Sequence, residues 1–264
     1  MNRVLVPVDF SETSVNALNY AIKLFDSSDL ELTILHTYDV SSSAFRMKSM
    51  DGILERDAQR EMDTLLARVH KAYPKLAVET KIVKSKAITA ITSLGNSGRY
   101  DFIVMGTKGA SGLKEVFIGS VAGGVIAQSD TPVLIIPEDS DHHALDKIVL
   151  AMSGTPFSDP AIVAPLRHLA SMHASKVTLL YVADDQKPDL EPVAETLEEF
   201  SPTITYNYGR GSVNEQINRY IERENAKLLC LVRTKKDFFD HLLNESVTLK
   251  QTFNSPVPLL ILHD

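Results

Sequence analysis

The chain has 264 residues, of which 44% are apolar and 23% charged, and this composition predicts a folded, soluble protein with one large or two ordinary domains. Its net charge of −7 argues against a nucleic-acid partner, because binding a phosphate backbone needs a basic surface. The apolar start is too short for a signal peptide, and no apolar run is long enough to span a bilayer. We therefore expect a cytoplasmic protein without a membrane partner. The only cysteine, Cys230, lies in an apolar run and is predicted to be buried in the core.

Apolar runs alternate with amphipathic stretches along the first half of the chain. Strands are predicted at residues 3–9, 30–37, 100–105 and 131–136. A helix is expected to begin near Ser11, because a short polar side chain can accept hydrogen bonds from the first free N–H groups of a helix. Further helices are predicted at residues 56–72, 87–94 and 121–128. Strands that are apolar on both faces and joined by helices indicate a parallel sheet covered on both sides.

The second half of the chain repeats this pattern. Residues 147–153, 175–182, 226–231 and 255–262 correspond to the four predicted strands of the first half. The predicted fold class is α/β, with two tandem doubly wound, Rossmann-like domains, each a five-stranded parallel sheet flanked by helices. The domains are expected at residues 1–138 and 145–264, with residues 138–143 as the linker. The closing strands, 132–136 and 257–262, are candidate sheet edges, and apolar edges tend to be paired or covered. We expect the two halves, or two chains in a homodimer, to associate through them.

Glycines follow the predicted strand at residues 100–105 in the spacing G-x2-G-x9-G-S, formed by Gly106, Gly109, Gly119 and Ser120. Glycines at a strand end let backbone N–H groups approach an anion, and a helix that opens at Gly-Ser presents free N–H groups and a positive dipole end. The pattern predicts a phosphate-binding loop, although each glycine could serve a tight turn instead. Asp9 ends the first strand, where its carboxylate could accept both ribose hydroxyls or help cap the following helix. When Asp9 is considered together with the glycine motif, a hydrogen bond to ribose is the favoured role for its carboxylate.

Residues 4–11, 105–113 and 119–122 resemble the universal stress protein family, and in particular its ATP-binding branch. The resemblance covers nearly all of the first half by motif and the second half by pattern. It implies that the first half binds ATP, with Mg²⁺, that Asp9 lies on the ribose or adenine side, and that Pro7 and Val8 line the base. It also implies that the backbone of Thr37 contacts adenine. Ribose and phosphate contacts are implied for the remaining site residues: Met105, Gly106, Lys108, Gly109, Gly119, Ser120 and Val121. One departure is Ser85, which stands where family members often have glycine before the third helix.

The second half departs further from the family pattern. Ser153 replaces the aspartate, and residues 233–240 contain no glycine, so Cβ atoms would fill the space that phosphates need. Gly209 and Gly211 precede the third helix of this half, where Gly211 matches the family's turn glycine. We predict a degenerate second domain and one ATP per chain, bound in the first half.

Other motifs do not support a catalytic or metal site. His142 and His143 could suggest a metal, but a linker without fixed geometry is the favoured location for them. His168 and His173 are five residues apart and would not share a helical face. The basic cluster of Arg233, Lys235 and Lys236 could attract an anion, but a solvated charge run is the favoured interpretation. No P-loop, nucleophile elbow or HExxH motif is present, so we expect a non-enzymatic stress-response regulatory or signalling module. The alternatives are a slow ATPase or autophosphorylating protein, with Ser120 or Ser111 near the γ-phosphate, and an interaction scaffold with unknown protein partners.

Overall fold

One ten-stranded sheet contains strands from both halves of the chain. The computed structural model describes residues 1–26, 28–39, 47–107, 119–138, 140–152, 157, 159–182, 187–233 and 255–264, and only the backbone of residues 47–51. The strands are β1 (Asn2–Pro7), β2 (Leu30–Tyr38), β3 (Ala77–Lys84), β4 (Phe102–Gly106), β5 (Val133–Ile136), β6 (Lys147–Met152), β7 (Lys176–Val182), β8 (Thr203–Asn207), β9 (Leu228–Arg233) and β10 (Leu259–His263).

The described helices cover both faces of this sheet. They are α1 (Glu12–Leu24), α2 (Met47–Ala72), α3 (Ala87–Gly95), α4 (Ser120–Gln128), α5 (Ala164–Met172), α6 (Glu191–Glu195) and α7 (Val213–Glu224), with two short 3-10 helices at Pro160–Val163 and Glu198–Phe200. One buried cluster joins α1, α2, α5 and α6 to one face of the sheet, and a second joins α3, α4 and α7 to the other. Adjacent strand residues alternate between the clusters: Val4 and Val6 belong to the first and Leu5 to the second. Burial on both faces confirms the predicted α/β class.

The strand order repeats between the two halves. The sheet runs β3-β2-β1-β4-β5-β10-β9-β6-β7-β8, so each half, counted from its own first strand, has the order 3-2-1-4-5. All neighbouring strands are parallel except β5 and β10, which pair antiparallel with Leu260 opposite Leu134. The expected association through the closing strands is confirmed as a contact within one chain. The two predicted five-stranded sheets are thereby joined edge to edge.

The boundaries of the predicted elements agree with the structure at most positions, whereas β3 and β8 have no counterpart among the strands located from the sequence. Ser11 is the N-cap of α1, and its side chain accepts a hydrogen bond from the Ser14 N–H. Helix α2 begins nine residues before the predicted position 56. Ile53, in this added segment, is 49% exposed, so it does not extend the buried apolar face from which periodicity predicts a helix. Cys230 is fully buried, as predicted, and burial raises the pKa of its thiol.

Candidate functional site

Strands β1, β2 and β4 are parallel neighbours, so their carboxyl ends lie at the same edge of the sheet. Pro7 ends β1, Gly106 ends β4, and Thr37 is the penultimate residue of β2. In an open parallel sheet, the crevice beyond these ends is the usual position for a ligand. The structure therefore brings the first-strand and fourth-strand parts of the predicted site to one edge.

The Asp9 carboxylate contacts the start of α1. Its Oδ1 accepts hydrogen bonds from the Ser11 N–H (3.1 Å) and the Ser11 hydroxyl (2.5 Å), while the Asp9 N–H donates to Ser14 Oγ (3.3 Å). The helix-capping interpretation is thus correct in part: Asp9 supports the residue that caps the helix. Asp9 is nevertheless exposed, so its carboxylate can also meet a ligand. Burial acts to raise the pKa of this carboxyl, but the hydrogen bonds from Ser11 and Ser14 outweigh burial and lower it.

The residues on either side of Asp9 are held against β2. Val8 is 5% exposed, and its N–H donates to the Leu35 carbonyl (2.8 Å). The Val8 carbonyl lies 2.8 Å from His36 Nδ1, and the His36 ring stacks on the Phe10 ring with centroids 4.4 Å apart. Pro7 and Thr37 are half-buried nearby in the sheet. The predicted base-lining segment is therefore fixed by backbone and ring contacts to the neighbouring strand.

Gly106 has a packing role that the sequence analysis did not foresee. A Cβ at this position would lie 2.6 Å from the Thr13 carbonyl oxygen and 2.8 Å from Thr13 Cγ2. Glycine is needed here because the first turn of α1 approaches the end of β4. Met105 is buried, and Thr107, which follows Gly106, is 1% exposed with a hydroxyl that has no hydrogen-bond partner among the described residues. A buried hydroxyl in this state can accept or donate to a bound group without breaking an existing contact.

Gly119 occupies a more open position at the start of α4. It is the N-cap residue, and a Cβ built on it would meet no atom of the described residues within 4 Å. Glycine offers no side-chain acceptor to the first N–H groups of α4, and the first turn carries no acidic residue. Ser120 is exposed, and Val121 is 38% exposed. The free N–H groups and the positive end of the helix can therefore receive an anion.

Part of the predicted phosphate loop lies outside the described residues. Lys108, Gly109 and Ser111 belong to the segment 108–118, which the structure does not describe. The same holds for Ser153 and for residues 234–254 of the second half, so the expected loss of the glycine cradle there stays a prediction.

The turns before the third helix of the two halves differ in backbone conformation. The difference lies at Gly211 and at Ser85, which stands where family members often have glycine. Gly211 has a φ of 105°, a conformation that side chains rarely adopt, and Ser212 with Glu215 forms a capping box at the start of α7. Ser85 does not have a positive φ; its N–H donates to the Tyr38 carbonyl (3.0 Å). The first half therefore makes this turn without a left-handed residue.

Arg233 connects the second half to α4. Its Nη1 donates to the carbonyls of Ile126 (3.1 Å) and Ala127 (2.7 Å) in the last turn of that helix. The interpretation of Arg233 as part of a solvated charge run is therefore wrong: a cation at the carbonyl end of a helix satisfies orphan acceptors and complements the dipole. The second half thus holds the far end of the helix whose first turn is the candidate anion site.

The linker histidine His142 has a fixed environment, contrary to the expectation of a linker without geometry. Asn16 Nδ2 lies within hydrogen-bond distance of the carbonyls of Pro137 and Glu138, and the His142 ring packs edge-on against Tyr20. The His142 and His173 rings lie 6.4 Å apart between the halves, and burial lowers the pKa of both. Within the described part of the chain, no three His, Cys, Asp or Glu side chains gather in a possible metal site.

Three contributors to the site escaped the sequence analysis: His36, Phe10 and Thr13. The position of Phe10 between Asp9 and the helix cap could have indicated its role, because a short connection between a strand and a helix often needs a residue with an unusual backbone conformation. No sequence pattern identifies His36 or Thr13, because their partners are brought near by the parallel pairing of β1 with its neighbours.

Fold and site together define an α/β protein with a mostly parallel sheet and a helix that starts at a glycine N-cap. A sequence model described as the Universal stress protein family matches residues 1–137, slightly more than half of the chain. The chain belongs to the universal stress protein family.

Relatives extend this comparison. Universal stress protein MJ0531 of Methanocaldococcus jannaschii is 28% identical over 139 residues, 51% of this chain and 81% of that protein. A universal stress protein of Mycolicibacterium smegmatis is 25% identical over 233 residues, 83% of this chain and 75% of that one. The crystal structure of a universal stress protein from Archaeoglobus fulgidus has a TM-score of 0.71, at 19% identity, covering 98% of this chain and 95% of that chain. This last similarity shows that the fold is shared over nearly the full length. In the described part of this chain, no helix is long and apolar enough to cross a membrane.

Proposed function

We propose that the first half of this chain binds ATP, with Mg²⁺, and that the protein is a cytoplasmic stress-response module that uses nucleotide occupancy as a regulatory signal. The proposal treats residues 1–138 and 145–264 as tandem domains and assigns one ATP to each chain. Its site residues are those predicted from the resemblance, including Lys108 and Gly109.

The observation that carries this proposal is the open start of α4. Among the described residues, Gly119 leaves space free where a side chain would stand, and the first N–H groups have no acidic neighbour in the first turn. This is the arrangement in which a helix start binds phosphate. Asp9, at the carboxyl end of the strand next to β4, offers an exposed carboxylate for ribose hydroxyls. The described residues offer Mg²⁺ no cluster of three ligand-type side chains, so we assign the ion to the phosphates and water.

The chemistry of Asp9 favours binding over hydrolysis. A general base works best with a pKa near the working pH, whereas hydrogen bonds lower the pKa of this carboxyl below its ordinary value. Autophosphorylation is the alternative, because the Ser120 hydroxyl is exposed at the start of α4. Incubation with ATP followed by mass spectrometry would reveal phosphate on Ser120 or Ser111 if this alternative holds, and sustained phosphate release would indicate an ATPase.

A scaffold role is compatible with the same structure, but strand β5 is not its docking edge. β5 already pairs with β10 of the same chain. A homodimer would therefore need another surface. Multi-angle light scattering on the full chain measures the molar mass and would show whether a dimer forms.

Calorimetry with ATP tests the binding proposal. We expect wild-type protein to bind one ATP per chain and Gly119→Val to weaken binding at least about tenfold, because its methyl groups enter the free space at the start of α4. Gly52→Val is the matched control, since a Cβ at Gly52 also meets no described atom within 4 Å but lies on α2. Absence of ATP binding by the wild type, or equal binding by both variants, would refute the assignment.

A further inference from the structure

We propose that His36 sets the ribose specificity of this site: by holding the Val8 carbonyl and the Phe10 ring, it fixes the Asp9 carboxylate for the two hydroxyls of a ribonucleotide. The inference rests on the proposed nucleotide binding and goes beyond it, because it assigns a positioning residue and a preference for ribonucleotides over deoxyribonucleotides.

The backbone around Asp9 needs external support. The chain leaves β1 at Pro7 and enters α1 at Glu12, and within this short connection Phe10 has a φ of 64°. A residue with a side chain pays a cost of about 1 kcal/mol or more in this left-handed region, so neighbouring contacts must stabilise the conformation. The side chain of Asp9 depends on this conformation, because its direction is set by the backbone on either side.

His36 supplies two of those contacts, one on each side of Asp9. Its Nδ1 lies 2.8 Å from the Val8 carbonyl oxygen, and its ring stacks on Phe10 with an interplanar angle of 30°. A carbonyl can only accept a hydrogen bond, so Nδ1 carries the proton and donates it. The imidazole thus holds residue 8 through a hydrogen bond and residue 10 through ring contact, and residue 9 has little freedom to rotate.

A fixed carboxylate matters most for a ligand with two adjacent hydroxyls. Asp9 Oδ1 already accepts two hydrogen bonds from Ser11. A carboxylate has about four lone-pair sites, so roughly two remain for a ligand. The 2′ and 3′ hydroxyls of ribose can both donate to them only if the carboxylate keeps its orientation, whereas a deoxyribose needs no such alignment.

The experiment compares the dissociation constants of ATP and 2′-deoxy-ATP by calorimetry in wild type, His36→Ala and Asp9→Asn. Loss of one hydrogen bond to a charged group weakens binding roughly 10- to 100-fold, so we expect wild type to prefer ATP by about that factor. In both variants the preference should fall to within about threefold. His70→Ala, which changes an exposed histidine at the end of α2, should leave it unchanged.

A purely structural role for His36 would weaken both nucleotides alike and leave their ratio intact. Two further variants separate the contacts: His36→Phe keeps an aromatic ring against Phe10 but loses the donor, and His36→Asn keeps a donor but loses the ring. They also keep the test valid if circular dichroism shows that His36→Ala is unfolded. A wild-type ratio in all folded His36 variants would overturn this inference while leaving ATP binding in place. Absence of binding of either nucleotide by the wild type would overturn the proposed function and this inference with it.

Discussion

Protonation of His263 is expected to destabilise the protein in mild acid. This histidine ends β10, beside Arg233 of β9, and its Nε2 is buried and has no hydrogen-bond partner in the part of the chain that the structure describes. Burial and then the positive charge of Arg233 lower its pKa from the ordinary 6.5 to about 4, although Asp130 acts in the opposite direction. Between these two pH values the unfolded chain binds a proton that the folded chain does not. The free energy of unfolding therefore falls as the pH falls through this window.

The size of this effect follows from the two pKa values. A difference of about 2.5 pKa units corresponds to roughly 3 kcal/mol, at about 1.4 kcal/mol per unit, and about 2 kcal/mol of it is lost by pH 5. The contribution of His263 is complete above its unfolded pKa of 6.5 and lost progressively below it. His142 and His173, whose pKa values are also lowered, act in the same direction.

Urea unfolding of wild type and His263→Leu, followed by circular dichroism between about pH 7 and pH 5, isolates the effect. The other histidines are present in both proteins, so their contribution cancels in the difference. We expect wild type to lose about 2 kcal/mol more than the variant over this range. His143→Leu, which replaces an exposed histidine of the linker, should track the wild type. Parallel curves for wild type and His263→Leu, or an NMR titration of His263 near 6.5, would refute the reasoning.

Two further substitutions test how the candidate site is built. Gly106→Ala should lower the free energy of unfolding by about 1–3 kcal/mol, because its Cβ would overlap the Thr13 carbonyl. Gly52→Ala should instead raise the free energy of unfolding by about 0.5–1 kcal/mol. Chemical denaturation measures both changes, and equal effects would contradict the close approach of α1 to β4. Arg233→Met should cost about 1–2 kcal/mol and increase amide exchange in the last turn of α4, because two carbonyls lose their donor. Arg60→Met, which removes an exposed ion pair with Asp57, is the control and should cost less than about 1 kcal/mol. Unchanged amide exchange in α4 with Arg233→Met would show that Arg233 does not stabilise the end of that helix.

Local sequence signals identified the parts of the fold that depend on near neighbours along the chain. Ser11 could be predicted as a helix cap because capping uses residues only three apart, and eight of the ten described strands could be predicted from their apolar runs. Strands β3 and β8 were not located, because their residues are only partly buried and form no apolar run. The repeat also revealed which strands correspond. The start of α2 was placed nine residues late, and in that segment Ile53 is exposed, so it does not extend the buried apolar face from which the helix was predicted.

The candidate site shows the same division between local and distant contacts. Gly119 was correctly identified as the start of a helix, since Gly-Ser before an amphipathic stretch is a local pattern. Gly106 was assigned to anion binding, with a tight turn as the alternative, and its packing against Thr13 was missed because that contact joins residues far apart in the chain. The contact of His36 with Val8 and Phe10 was invisible for the same reason.

The sequence by itself determined the α/β class, the repeated half and the identity of the residues at the strand ends, because these follow from hydrophobic period and short-range backbone preferences. Only the tertiary structure decided that β5 pairs with β10 in one sheet, that Arg233 holds α4 and that His142 meets His173 between the halves. These contacts depend on which strands become neighbours and in which register. That choice is made by the burial of the whole core, and no local pattern in the chain contains it.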